Sequence, residues 1–196
     1  AAQHDSICEK QHCVDEAAAF WRMLHEKYPD AAVPALRLGR HLERQDQLKE
    51  ALALYRQVEI QHPENAEAIL RQGIVVALME GYAKGRSMMD RALELAPELR
   101  PELVAGLTRI ATHYTETGAH AFAEAIYRDV IKLAPDDGWH QVRYGEALMA
   151  QEYYDKAREV FLNILERAPE SPYSAYKLDE IFEKTNAPEL RLATWQ

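Results

Sequence analysis

Residues 32–65 read AVPALRLGRHLERQDQLKEALALYRQVEIQHPEN, and the reading of this stretch decides the fold. It describes a helix, a short turn and a second helix that stops at a proline, which cannot continue a helix. Pro63 belongs to a series, Pro29, Pro63, Pro97, Pro135 and Pro169, spaced by 34 residues with one interval of 38. A helical pair of this length is too small to bury its apolar face alone, so a chain built from such pairs must stack them.

The rest of the chain agrees with that plan. It has 196 residues, of which 47% are apolar, enough for a run of helical pairs with a continuous core. Glycine and proline are sparse, and alanine, leucine, glutamate and arginine dominate, which favours helix over strand. No apolar run approaches the roughly 18 to 20 residues of a membrane span. A formal charge of −9 argues against broad contact with nucleic acid or anionic membrane, where neutralisation of phosphates drives affinity. The opening Ala1-Ala2-Gln3, without Met or signal peptide, reads as a processed or excised end, and leaves a cytoplasmic or exported location open.

Counting each proline as repeat position 32 lines up further columns. Position 8 is small, with Gly39, Gly73, Ala111 and Gly145, and position 20 is small as well, with Ala17, Ala51, Gly85, Ala123 and Ala157. Position 24 is bulky, with Trp21, Tyr55, Met89, Tyr127 and Phe161. Small residues at 8 and 20 allow the helices of a pair to approach, and the large residue at 24 is expected to fill the space toward the next repeat. The pattern Leu38-Gly39, Ala51, Tyr55 and Pro63 resembles the tetratricopeptide repeat, and the resemblance covers almost the whole chain. It implies an all-α, right-handed solenoid.

On that alignment the complete repeats are 32–65, 66–103, 104–137 and 138–171, the second enlarged by the four residues Arg100 to Leu103, which should lengthen a helix or loop there. Residues 1–31 read as a truncated repeat, and 172–196 as a further first helix, with Pro172 at its start, and the opening of its partner. Leu190, Leu192, Ala193 and Trp195 make an apolar, uncapped end, which implies either a longer parent protein or self-association end to end.

In the tetratricopeptide family the first helices line the concave face, and positions 2, 5, 6, 9 and 12 commonly meet the ligand. Position 6 here is basic throughout: Arg37, Arg71, Arg109, Arg143 and Lys177. Lys and Arg make up 23 of 196 residues, and at roughly one residue in eight, five in one column arise by chance about once in 30,000 trials, or about once in a thousand over all columns. Arg40, at position 9, adds to the column. Guanidinium forks suit carboxylates, sulfates and phosphates, so the expected partner is an acidic protein or peptide segment, with an anionic polymer as a further possibility. The competing expectation is that these cations pair internally with Glu43, Glu67, Glu146 and Glu180 and knit adjacent repeats together.

Aromatic residues gather at one end of the same face, with Trp139 and Tyr173 at position 2 and Tyr176 at position 5. Beside Arg143, Trp139 reads as an anchor for an apolar side chain or a sugar ring. The alternative is ordinary packing against the following helix. The family's chaperone clamp needs Lys and Asn at positions 5 and 9, Asn at 6, then Lys and Arg at 2 and 6. The matching windows hold Leu36, Arg40, Arg71, Ala105 and Arg109, or Leu70, Ile74, Arg109, Trp139 and Arg143, so only the last Arg is kept.

Evidence for chemistry is thin. Cys8 and Cys13 lie near His4 and His12, and the spacing of His4, Cys8 and His12 gives a weak metal signal. On a helix the two cysteines stand about 7.5 Å apart along the axis, near or beyond disulfide reach, whereas a turn at Cys13 would permit a bridge. Free thiols, a disulfide and a metal site all remain open there. No nucleophile elbow, phosphate-cradling glycine loop or paired zinc motif occurs, so no cofactor, resident metal or independent enzymatic activity is expected. Of the scattered histidines His41, His62, His113, His120 and His140, most are expected to lie on the surface, with His113 at position 10 packed in the core.

The sequence thus points to a non-catalytic interaction scaffold. A recognition or spacer module of a larger enzyme or of an exopolysaccharide or secretion component is the alternative, and a self-assembling solenoid the second.

Overall fold

A computed structural model describes residues 14–186 of the chain. His4, Cys8, His12, Cys13, Pro188 and the apolar C-terminal residues therefore lie outside the described residues. Among those described there are ten α-helices, one 3-10 turn and no strand. The helices are α1 (Val14–Lys27), α2 (Ala32–Arg44), α3 (Leu48–Gln61), α4 (Ala66–Glu80), α5 (Tyr82–Leu95), α6 (Arg100–Glu116), α7 (His120–Leu133), α8 (Gly138–Met149), α9 (Tyr154–Arg167) and α10 (Pro172–Thr185). The chain divides into two compact units, Ala1–Leu103 and Val104–Gln196.

The recurrent prolines act through the residue in front of them. His62, Ala96, Ala134 and Ala168 close α3, α5, α7 and α9 with extended backbone, φ between −145° and −135° and ψ between 70° and 85°. The Cδ of the following proline excludes the helical region at that position. Each of these residues still donates its N–H to the carbonyl four residues back, as His62 does to Val58 at 2.7 Å. The proline carbonyls are used again by the next second helix: Gln57 donates to Pro29 O at 3.2 Å and Arg91 to Pro63 O at 3.1 Å.

The turns inside the pairs obey a second local rule. Asp46, Gly118 and Glu152 adopt left-handed backbone with φ of 59°, 77° and 62°. The residue after each donates to the carbonyl five back: Gln47 to Leu42 at 2.9 Å, Ala119 to Tyr114 at 2.8 Å and Tyr153 to Leu148 at 3.0 Å. These are Schellman closures, which satisfy carbonyls left over at a helix end. Asn65 and Asp137 cap α4 and α8 at the other end, accepting from Ala68 N at 2.9 Å and Trp139 N at 3.0 Å.

Within each unit the core lies between successive helices. In the first, Trp21, Leu38, Leu42, Ala51, Tyr55 and Val58 are buried together; in the second, Leu148, Phe161, Leu178 and Ile181 are. Each fully buried large side chain contributes about 1.5–3 kcal/mol relative to exposure. Position-24 residues also pack on the small residue of their own pair, while Tyr55 shares its core cluster with Ala68 and Val75 of the next first helix. A β-carbon on Gly39 would stand 2.5 Å from Tyr55, on Gly73 2.8 Å from Met89 and on Gly145 2.7 Å from Phe161.

The expectation for His113 is corrected. His113 is exposed, its ring lying edge-on to Tyr114, whereas His41 and His140 are buried. His140 sits 3.3 Å from Asp137, so the carboxylate that caps α8 also receives its imidazole. The residues Arg100 to Leu103 form the first turn of α6, which at 17 residues is the longest helix described.

Candidate functional site

In the first unit, α2 carries Arg37, Arg40 and Arg44 at spacings of three and four, which places them on one helical stripe. Arg71 comes from α4, the next first helix, which touches α2. Arg37 and Arg71 are half-buried, and Arg37 is engaged by a neighbouring group. Arg40 reaches Glu67 of α4 at 3.9 Å, the limit of an ion pair. Burial, then the like charge of Arg71, hold the Arg40 guanidinium below its ordinary value, with Arg37 and Arg44 adding and Glu67 opposing.

Beneath this stripe the Tyr55 hydroxyl donates to Glu43 Oε1 at 2.6 Å, both groups being buried. Burial and the adjacent carboxylate push the phenol well above the ordinary tyrosine value, while Arg71 and Arg40 pull the other way. The Nε of Arg71 is buried and has no hydrogen-bond partner among the described residues.

In the second unit the basic residues meet acids of their own helix. Arg143 binds Glu146 at 3.0 Å and Lys177 binds Glu180 at 2.9 Å, each three residues on. These pairs lie within one helix, unlike the expected links between repeats; Arg40 to Glu67 is a cross-helix pair of the first unit. Partial burial opposes the charge of Arg143 and of Lys177, yet the bonds to Glu146 and Glu180 outweigh it and hold both groups above their ordinary values. Arg109 of α6 is half-buried and engaged by a neighbour.

Glu146 also accepts the hydroxyl of Tyr173, joining α8 to α10. Partial burial and that carboxylate raise the Tyr173 phenol. Trp139 is 54% exposed, with the Arg143 guanidinium 4.8 Å from its ring centroid, so it does not pack into the core. Lys177 lies 5.6 Å from the ring of Tyr173 and 5.7 Å from that of Tyr176, both exposed. The three aromatic residues are thus presented to solvent under cations, an arrangement suited to stacking and to anionic groups. Beside them a pocket of about 370 Å³ is lined by Glu146, Glu152, Tyr154, Lys177, Glu180 and Lys184.

Sequence reasoning missed Arg44, the burial of Glu43, and the pocket residues Tyr154 and Lys184. The spacing of Arg37, Arg40 and Arg44 along one helix was a signal for the first; a column read across repeats does not look along the helix.

No protein-family model matches the chain, and no curated protein matches it in sequence. Solved structures do. YrrB, described as a TPR protein with an unusual peptide-binding site, is 20% identical with a TM-score of 0.57, over 91% of this chain and 90% of its own. MamA is 18% identical with a TM-score of 0.57, over 80% and 89%. A tetratricopeptide repeat protein from Parabacteroides merdae is 15% identical with a TM-score of 0.56, over 99% and 78%. The fold of this chain is the tetratricopeptide-repeat helical solenoid.

Proposed function

On a chain with the tetratricopeptide-repeat fold, we propose a non-catalytic protein-interaction scaffold whose first-helix faces receive an acidic or extended partner segment. The observation that carries this reading is the basic residue recurring at one position of successive first helices, in Arg37, Arg71, Arg109, Arg143 and Lys177, each partly open to solvent. Exposed Trp139, Tyr173 and Tyr176 supply rigid apolar area next to the cations, the composition typical of binding hot spots. Charge attraction would speed encounter with an acidic segment, and paired Arg forks would fix its register. The peptide-binding site named for YrrB supports the reading by analogy of fold.

The test compares the wild type with the double reversal Arg109→Glu and Arg143→Glu, measuring affinity for a labelled glutamate-rich peptide and for its glutamine counterpart. The glutamate peptide should bind more tightly, and the reversal should weaken it at least tenfold with helicity retained. A folded reversal with unchanged affinity overturns the reading.

The pairing of exposed Trp139 with Arg143 favours a second reading, a recognition module for an acidic saccharide chain. A polyuronate in place of the peptide tests it, and equal binding by wild type and Trp139→Ala would count against it.

A further inference from the structure

We propose that Glu146 is a built-in competitor of the acidic partner for Arg143. Its carboxylate holds the guanidinium in the free protein, and passes to Tyr173 alone when a carboxylate of the partner takes its place. Glu146 thereby sets how strongly the second unit grips an acidic segment. The proposal rests on the scaffold reading above and assigns that face its regulation.

Both oxygens of Glu146 are in use. Oε2 accepts from Nη1 of Arg143 at 3.0 Å, three residues earlier on α8, and Oε1 accepts the hydroxyl of Tyr173 on α10. Arg143 gives that nitrogen to Glu146 and lays its guanidinium over the ring of Trp139, 4.8 Å from the centroid. On α10, Glu180 binds Lys177 in the same manner at 2.9 Å. These four side chains are two cations and two carboxylates, so together they offer no excess of positive charge. An acidic segment gains little from a neutralised cation unless it displaces the carboxylate that neutralises it.

The geometry around Glu146 makes that displacement feasible. The side chains of Arg143 and Glu146 are 36% and 20% exposed, so the pair can be approached from solvent. When Arg143 leaves, Glu146 keeps the hydroxyl of Tyr173, and no partly buried carboxylate is stranded without a donor. The incoming and the displaced group are of one chemical class, so the exchange lies near balance. Further contacts of the partner, with exposed Trp139 and Tyr176, then tip it. Apparent affinity is reduced by the fraction of protein in which Arg143 is not held, about fivefold for a pair at the upper end of the range for surface ion pairs.

The experiment titrates the full chain with the glutamate-rich peptide and its glutamine counterpart. Glu146→Gln keeps the shape and an acceptor for Tyr173 while losing the charge. It should bind the glutamate peptide about fivefold more tightly than wild type and the glutamine peptide no differently. The gain should vanish in the Arg143→Gln background. Tyr173→Phe should weaken the glutamate peptide about threefold, the effect of one hydrogen bond, and should have no effect once Glu146→Gln is present. Loss of a direct contact between Tyr173 and the peptide would not show that coupling. Equal affinity of wild type and folded Glu146→Gln overturns the proposal, and so does a gain that persists in Arg143→Gln, which marks a general charge effect. Should Glu146→Gln fail to fold, unchanged binding by Tyr173→Phe overturns it. A parallel titration with inorganic phosphate, followed by NMR at the Arg143 Nε–H, separates this idea from the scaffold reading. Tighter phosphate binding by Glu146→Gln with no acidic peptide bound by either protein would keep the competitor and remove the scaffold. Peptide binding by wild type that Glu146→Gln leaves unaltered would do the reverse.

Discussion

A β-carbon on Gly85 would stand 2.0 Å from the carbonyl oxygen of Gly73, so α4 and α5 meet backbone to backbone at this point. The obstacle is main chain and cannot rotate aside. Gly85→Ala should therefore destabilise the protein by about 3 kcal/mol, the upper part of the usual overpacking range, in spite of alanine's better helix propensity. Gly39→Ala, where the obstacle is the ring of Tyr55, should cost about 1–3 kcal/mol. Denaturant unfolding of both variants checks the order, and a stabilised Gly85→Ala would show that the helices can part without cost.

Tyr55 is a titratable group locked in the core. Tyr55→Phe removes a donor from buried Glu43 and should cost about 1–3 kcal/mol at neutral pH. Its raised folded pKa has a definite sign. The unfolded chain loses the phenol proton near pH 10, while the folded chain still holds it. The stabilisation is thus complete below about pH 10 and declines as pH rises beyond it. Unfolding free energy followed from pH 8 to 11 should fall less steeply in Tyr55→Phe than in wild type.

Glu152 occupies left-handed backbone, φ 62°, where a β-carbon is unfavourable. Glu152→Gly should stabilise the second unit by about 0.5–1 kcal/mol, since Gly118 fills the equivalent turn with φ 77°. A lowered melting temperature would mean that the side chain makes a contact worth more than the strain.

Trp139 is more than half exposed and touches Arg143 by its ring face. Trp139→Ala should leave unfolding free energy within about 0.5 kcal/mol of wild type, and on the proposed function should weaken partner binding. Thermal unfolding and peptide titration of the same variant separate the two effects.

How far the sequence could be read depended on how local each rule is. Pro63, Pro97, Pro135 and Pro169 restrict the residue before them through covalent geometry, so the helix ends were visible without any neighbour. The small and large columns were visible too, but not that Tyr55 packs on Gly39 of its own pair as well as in one core with Ala68 and Val75 of the next first helix. His113 and His41 share a repeat position, yet one is exposed and the other buried. Burial depends on the elements packed above a residue, which its position does not name.

The basic column shows the same division. Sequence alone determined that this chain is a stack of helical pairs with a cation at one position of each first helix, because periodicity and proline chemistry act along the chain. The tertiary structure decided which acids answer those cations. Arg143 and Lys177 are met within one helical turn by Glu146 and Glu180, whereas Arg40 of α2 reaches across to Glu67 of α4 and Glu43 receives the buried hydroxyl of Tyr55. The physical reason is that an ion pair is decided by distance and burial in three dimensions, and neither is fixed by the order of residues in a repeat.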